Sequence, residues 1–88
     1  MPRFIAVHTL PYTEAEFMGM LKGESMPELP AGVVWKLTYC DFADHKFFCE
    51  WEAPNKETIE QIFKAQKLPF DVVYPVRLLD VAKMELEK

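Results

Sequence analysis

Residues 33–54, VVWKLTYCDFADHKFFCEWEAP, decide how this chain folds. Aromatic and β-branched residues fill both halves of the stretch, and a polar break at Ala43-Asp44-His45 divides them. That is the pattern of two strands joined as a hairpin. Register comes first, because a slip of one residue moves every side chain to the other face. A three-residue loop at 43–45 sets Leu37 opposite Trp51, Tyr39 opposite Cys49 and Lys36 opposite Glu52. One face is then Trp35, Leu37, Tyr39, Phe47, Cys49 and Trp51; the other is Lys36, Thr38, Cys40, Phe48, Glu50 and Glu52. A two- or four-residue loop sets Glu50 and Glu52 against Leu37 and Trp35 instead, and burying a carboxylate without a partner costs roughly 2–5 kcal/mol. The three-residue loop is therefore expected, with Trp51 buried beneath whatever covers the apolar face.

Outward from the hairpin, the flanking segments are read from their punctuation. Arg3 to Leu10 is a strand that Pro11 ends, with Ile5 and Val7 expected toward the core and Phe4, Ala6 and His8 on the opposite face. Thr13 and Glu16 form a capping-box pattern ahead of an apolar stripe, Phe17, Met20 and Leu21, with Gly23 as terminator. Residues 24–32 hold two prolines and a glycine and form the one long loop, with Met26 and Leu29 expected as its anchors. After Pro54, Asn55 caps a second helix whose inner stripe is Ile59, Ile62 and Phe63, and Leu68-Pro69 closes it. Asp71 to Leu79 is a last strand, which Pro75 assigns to a sheet edge or a bulge. The tail 82–88 is polar, with a turn or two of helix expected.

The element order is β-α-β-β-α-β. It predicts a single α+β domain over 1–88: a ferredoxin-like sandwich, four antiparallel strands with two helices on one face. The uncovered face would carry Phe4, Phe48 and Tyr74 or Val76. A patch of that size marks an interface, so a two-fold homodimer closing into a dimeric α+β barrel is expected. Fourteen acidic against ten basic residues give a net charge of −4, with no basic stripe for nucleic acid. No apolar run reaches the roughly 20 residues a membrane span needs, which makes the cytoplasm the default compartment. The two cysteines lie nine apart, outside any CxxC spacing. They fall on opposite faces in the expected register, so both are expected to be reduced.

Several short motifs are shared with one family. Trp35, Thr38-Tyr39, Lys46-Phe47-Phe48-Cys49-Glu50-Trp51-Glu52-Ala53-Pro54 and Leu68-Pro69-Phe70-Asp71, together spanning about residues 3–80, resemble a small ferredoxin-like family first filed as a domain of unknown function and later associated with nickel binding. The aromatic-Glu-Ala-Pro ending of the third strand is its most recognisable feature, and the Leu-Pro-x-Asp entry to the last strand is the second. The resemblance implies a homodimer that binds nickel or a related divalent metal. It implies no catalysed reaction.

The candidate metal ligands follow from side-chain chemistry. His8 offers a neutral imidazole nitrogen suited to nickel, zinc or copper. Glu50 and Glu52 lie two apart on one strand face and could approach one cation together; solvated alternation explains them equally well. Asp44 and His45 at the hairpin tip are the next pair, though solvated turn residues are the ordinary reading there. Cys49 is more simply a buried apolar-like residue than a thiolate, and Cys40 has no adjacent base. No complete catalytic motif is present. Two other function classes stay open: a cofactor-free dimeric α+β barrel enzyme, of monooxygenase or isomerase type, using His8, Tyr74 and a glutamate on a small hydrophobic ligand; and a non-catalytic binding module.

Overall fold

Side-chain alternation gives strand β1, Arg3–Thr9, one face that is buried at every position: Phe4, Ala6 and His8. The computed structural model describes residues 2–23 and 29–87. After β1 come helix α1 (Glu14–Gly23), strands β2 (Val34–Asp41) and β3 (Lys46–Glu52), helix α2 (Lys56–Ala65) and strand β4 (Val72–Val76). The four strands form one antiparallel sheet in the order β2-β3-β1-β4. The core lies between the sheet and α2, where Phe4, Ala6, Trp51, Ile59, Phe63 and Val73 pack together. Among the described residues no helix is long and apolar enough to cross a membrane.

Both helices start as their capping residues dictate. Thr13 Oγ1 accepts from the Glu16 N–H at 3.2 Å while the Glu16 carboxylate accepts from the Thr13 N–H at 2.9 Å, a reciprocal capping box. Asn55 Oδ1 accepts from the Thr58 N–H at 2.9 Å. Helix α2 ends in a Schellman-type turn: Lys67 takes the left-handed conformation (φ 56°) and the Leu68 N–H returns to the Phe63 carbonyl at 2.9 Å. The two helices then differ. Ile59 and Phe63 of α2 are fully buried and Ile62 packs against them. No side chain described in α1 is fully buried, and Phe17 and Leu21 are only half-buried beneath it. Leu29 packs on the core as expected; Met26 lies outside the described residues.

The hairpin register is not the expected one. Asp41 pairs with Lys46, Tyr39 with Phe48 and Leu37 with Glu50, so the loop has four residues, Phe42–His45. Asp41 Oδ1 accepts the Asp44 N–H at 3.2 Å and His45 closes the turn at φ 59°. Farther along, Trp35 is opposite Trp51, so Lys36 is an extra residue: a β-bulge. Leu37 and Tyr39 consequently sit on the uncovered face, and Thr38 and Cys40 share the helix-side face with Cys49, where both cysteines are free thiols. Two compensations make this register affordable. Glu50, opposite Leu37, is ion-paired to Arg3 at 2.8 Å. The bulge keeps Trp35 on the helix side, stacked on Trp51 at 5.9 Å and 14°. Lys36 still reaches Glu52, at 3.4 Å.

Strand β1 also faces the other way from expectation. Phe4, Ala6 and His8 point to the helices, and Ile5 and Val7 to the uncovered face. His8 can be buried because its Nδ1 hydrogen-bonds to the Pro69 carbonyl at 2.9 Å, so only part of its polar surface is desolvated without a partner. The uncovered face therefore carries Phe48, Tyr74 and Val76 but not Phe4. Beyond Val76 the chain leaves the sheet. It forms a small hairpin, β5 (Leu79–Asp80) with β6 (Glu85–Leu86), where a longer last strand and a helical tail were expected. As expected from Pro75, β4 is an edge strand.

Candidate binding site

Helix α1 stands off from the sheet, and the space beneath it is a cavity of about 400 Å³. Phe17 and Leu21 form its roof; Trp35, Phe47, Cys49 and Trp51 form its floor on β2 and β3. His8 and Phe63 meet in its wall with ring centroids 4.7 Å apart, edge to face, and Trp51 meets Phe63 from its own side at 5.6 Å. Among the described residues, no Lys, Arg, Asp or Glu lines it.

His8 is the polar centre of this wall, 1% exposed. Since a carbonyl only accepts, the bond to Pro69 fixes the proton on Nδ1 and leaves Nε2 as a bare lone pair. The same short segment secures the next residue: Thr9 Oγ1 donates to Asp71 Oδ2 at 2.6 Å, and Lys46 Nζ donates to Thr9 Oγ1 at 2.7 Å. The Leu68-Pro69-Phe70-Asp71 motif thus clamps His8-Thr9 from one side. Among the described residues, the buried side-chain nitrogens without a partner are two, His8 Nε2 and Trp51 Nε1. By contrast Trp35 Nε1 donates to Thr38 Oγ1 at 2.8 Å, and that hydroxyl donates to Cys49 Sγ at 3.2 Å. Burial pushes the Cys49 thiol above its usual range, with the Thr38 hydroxyl opposing, so it is protonated at neutral pH.

Desolvation holds His8 below its ordinary value of 6.5, against the Pro69 carbonyl and the Asp71 carboxylate, which raise it. Among the described residues, the other titratable groups on the cavity are Tyr12 and Cys49. The unfolded chain therefore takes up this proton more readily than the folded one. Stability from the neutral imidazole is complete above about pH 6.5 and is lost as pH falls through the depressed folded value. Denaturation curves from pH 7 to 5 should show wild type losing stability faster than His8→Gln, the difference bounded by about 1.4 kcal/mol per pH unit for one proton.

The ligands expected on one sheet face are divided. His8 faces the helices, while Glu50 and Glu52 face the uncovered side, held by Arg3 and Lys36. Asp44 and His45 stand in the exposed turn. Tyr74, 53% exposed, is on the side away from His8, so those two do not share a pocket. No group of three His, Cys, Asp or Glu among the described residues could hold a metal ion. What residue-by-residue reading missed is the indole N–H of Trp51 as a polar point, and the Pro69 carbonyl as the anchor of His8. The Leu-Pro-x-Asp motif signalled the second; nothing signalled the first.

A family model described as nickel responsive protein SCO4226-like matches residues 4–76. No curated protein and no solved structure matches the chain significantly.

Proposed function

We propose a nickel-binding role on the premise that this chain belongs to the SCO4226-like nickel-responsive protein family. The observation that supports a metal here is the imidazole of His8. Its Nδ1–H is engaged by a backbone carbonyl and its Nε2 lone pair is left bare, the arrangement by which ligating histidines are oriented. One chain fits an ion only in part. His8 would hold it, with the Cys49 thiol on the same cavity as a second donor once deprotonated, and the remaining positions fall to water or to donors from outside the chain. When bound, nickel would bring a positive charge and Lewis acidity to Nε2.

Metal-free, untagged protein titrated calorimetrically with nickel should bind, and His8→Ala should weaken binding at least about tenfold, roughly 1.4 kcal/mol. Binding should also fade as pH drops below about 6.5, where imidazole takes up a proton. If His8→Ala binds as wild type does, the site is elsewhere, with Asp44 and His45 tested next and Glu50 and Glu52 after them. If untagged wild type binds no divalent ion above background, the metal role is wrong.

We further propose that the fold is ferredoxin-like and works as a homodimer, two copies meeting sheet to sheet. In support, Val34, Leu37, Tyr39, Phe48 and Tyr74 are exposed on the uncovered face, an apolar area larger than scattered surface residues make. The free thiols of Cys40 and Cys49 suit a reducing compartment, the cytoplasm. Phe48→Glu would bury a charge against its own copy and should dissociate the pair in sedimentation runs at tens of micromolar, an order-of-magnitude range for micromolar dimers. A wild type already monomeric there would rule this assembly out.

A further inference from the structure

The β5–β6 hairpin lies beyond residues 4–76, the stretch that the family model matches, and it is unusually apolar for an exposed element. Among the described residues twelve large apolar side chains are exposed, and five of them are here: Leu78, Leu79, Val81, Met84 and Leu86. The hairpin has two distinct sides. Leu79 is directly opposite Leu86 and Asp80 opposite Glu85, so the leucines share one face and the acids the other. At its base the Glu87 N–H donates to the Leu78 carbonyl at 2.8 Å, and this end is turned to its own subunit. Leu78 and Glu87 line a recess with Arg3, Glu52 and Val76, and the Glu87 carboxylate is 3.7 Å from the Arg3 guanidinium. Leu79 and Leu86 stay out of that recess. Val81 and Met84, at the two ends of the turn, are 71% and 73% exposed. The apolar side thus points away from the chain that carries it. We propose that the hairpin is an arm, which packs Leu79, Val81, Met84 and Leu86 onto a second copy of this chain; this rests on the homodimer proposed above.

Three observations choose a second copy as the occupant. The recess that seats the hairpin is built from Arg3, Glu52 and Val76 of the uncovered sheet face. The arm therefore continues the surface on which two copies would meet, and under two-fold symmetry each copy gives one arm and receives one. Area is the second. Four strands of this length present a face of roughly 450 Å² in outline, whereas each partner in a standard interface buries about 800 Å². Sheet-to-sheet contact alone is small for a stable pair, and the arm enlarges it. The third is the hairpin's own weakness. None of its residues belongs to the core cluster, a lone two-stranded hairpin is marginal in water, and Asp80 opposite Glu85 sets like charges together. Met84 also takes the left-handed conformation, φ 53°, which Asn or Gly adopts at lower cost. Solvent would favour Asn there too; methionine suits a surface that packs against another.

The test uses the full chain. Val81→Ser combined with Met84→Asn strips the turn of its apolar side chains and leaves at 84 a residue that accepts positive φ. Both positions are exposed, so circular dichroism should match wild type. In sedimentation the wild type should be dimeric at tens of micromolar, and the double variant should dissociate at least about tenfold more readily, a factor worth about 1.4 kcal/mol. Lys83→Gln, a polar change in the same turn, should leave the dimer constant unchanged. With the photo-crosslinker p-benzoylphenylalanine in place of Met84, irradiation should give a product of twice the chain mass, and adding Phe48→Glu should abolish it. A monomeric wild type would remove the homodimer and the arm together. A dimeric wild type whose double variant associates as tightly within about tenfold, or whose cross-links stay inside one chain, would overturn the arm alone.

Discussion

Trp51→Ala should lower the free energy of unfolding by about 3–5 kcal/mol, the range for deleting a large core aromatic. The residue is 5% exposed and belongs to the core cluster. Its indole stacks on Trp35 and meets Phe63 edge to face at 5.6 Å, so truncation removes contacts from two elements at once. The gap would open into a cavity that already exists, which leaves neighbouring side chains little to collapse onto. Trp51→Phe should lose distinctly less, since a ring remains against Phe63. Urea denaturation of the pair measures both. Equal losses for Ala and Phe would mean that a ring left against Phe63 contributes nothing, which would sink the packing account, since the indole N–H has no partner to lose.

Arg3→Ala should be the next largest. Its guanidinium lies 2.8 Å from Glu50, and the two side chains are 16% and 13% exposed, too deep for water to replace the partner fully. Removing the cation leaves Glu50 unpaired opposite Leu37 and should cost about 1–3 kcal/mol. Arg3→Ala combined with Glu50→Ala should recover part of that, because the stranded charge is gone. Arg3 also reaches Glu87 at 3.7 Å, but Glu87 is half exposed and contributes little. A single-variant loss within about 0.5 kcal/mol, the size of an ordinary surface change, would show that the pair does not hold the register.

How far the sequence could be read depended on what each residue competed with. On β3 the carboxylates Glu50 and Glu52 alternate with Phe47, Cys49 and Trp51, so only one face could be buried, and it is. The caps at Thr13 and Asn55 are local hydrogen bonds within one turn, and local patterns survive folding unchanged. Strand β1 offered two apolar faces, and the one with Phe4, Ala6 and His8, expected away from the helices, is the one that faces them. Burial of His8 depends on the Pro69 carbonyl, 61 residues along the chain. On β2 two one-residue features add. The fourth loop residue moves Leu37 through Cys40 to the opposite face, and the bulge at Lys36, a second step in the same sense, returns Trp35 to the helix side opposite Trp51. Trp35 therefore keeps its expected face, and Lys36 still reaches Glu52 although Val34 is the residue opposite it. Of the candidate site, His8 was legible as chemistry. The cavity was not, because it is set by how far α1 stands from the sheet, and no residue encodes a distance.

The bulge at Lys36 has a further effect, on how this sheet behaves in a crowded solution. A sheet with two straight edges invites strands from other molecules, the route to fibres and precipitates. The two edges here are β2 and β4. The first is kinked where Lys36 is inserted, and the second carries Pro75, which has no N–H to offer. Both borders of the sheet thus refuse an incoming strand. Other molecules are left to meet its broad side, the face that the proposed pairing of two copies would use.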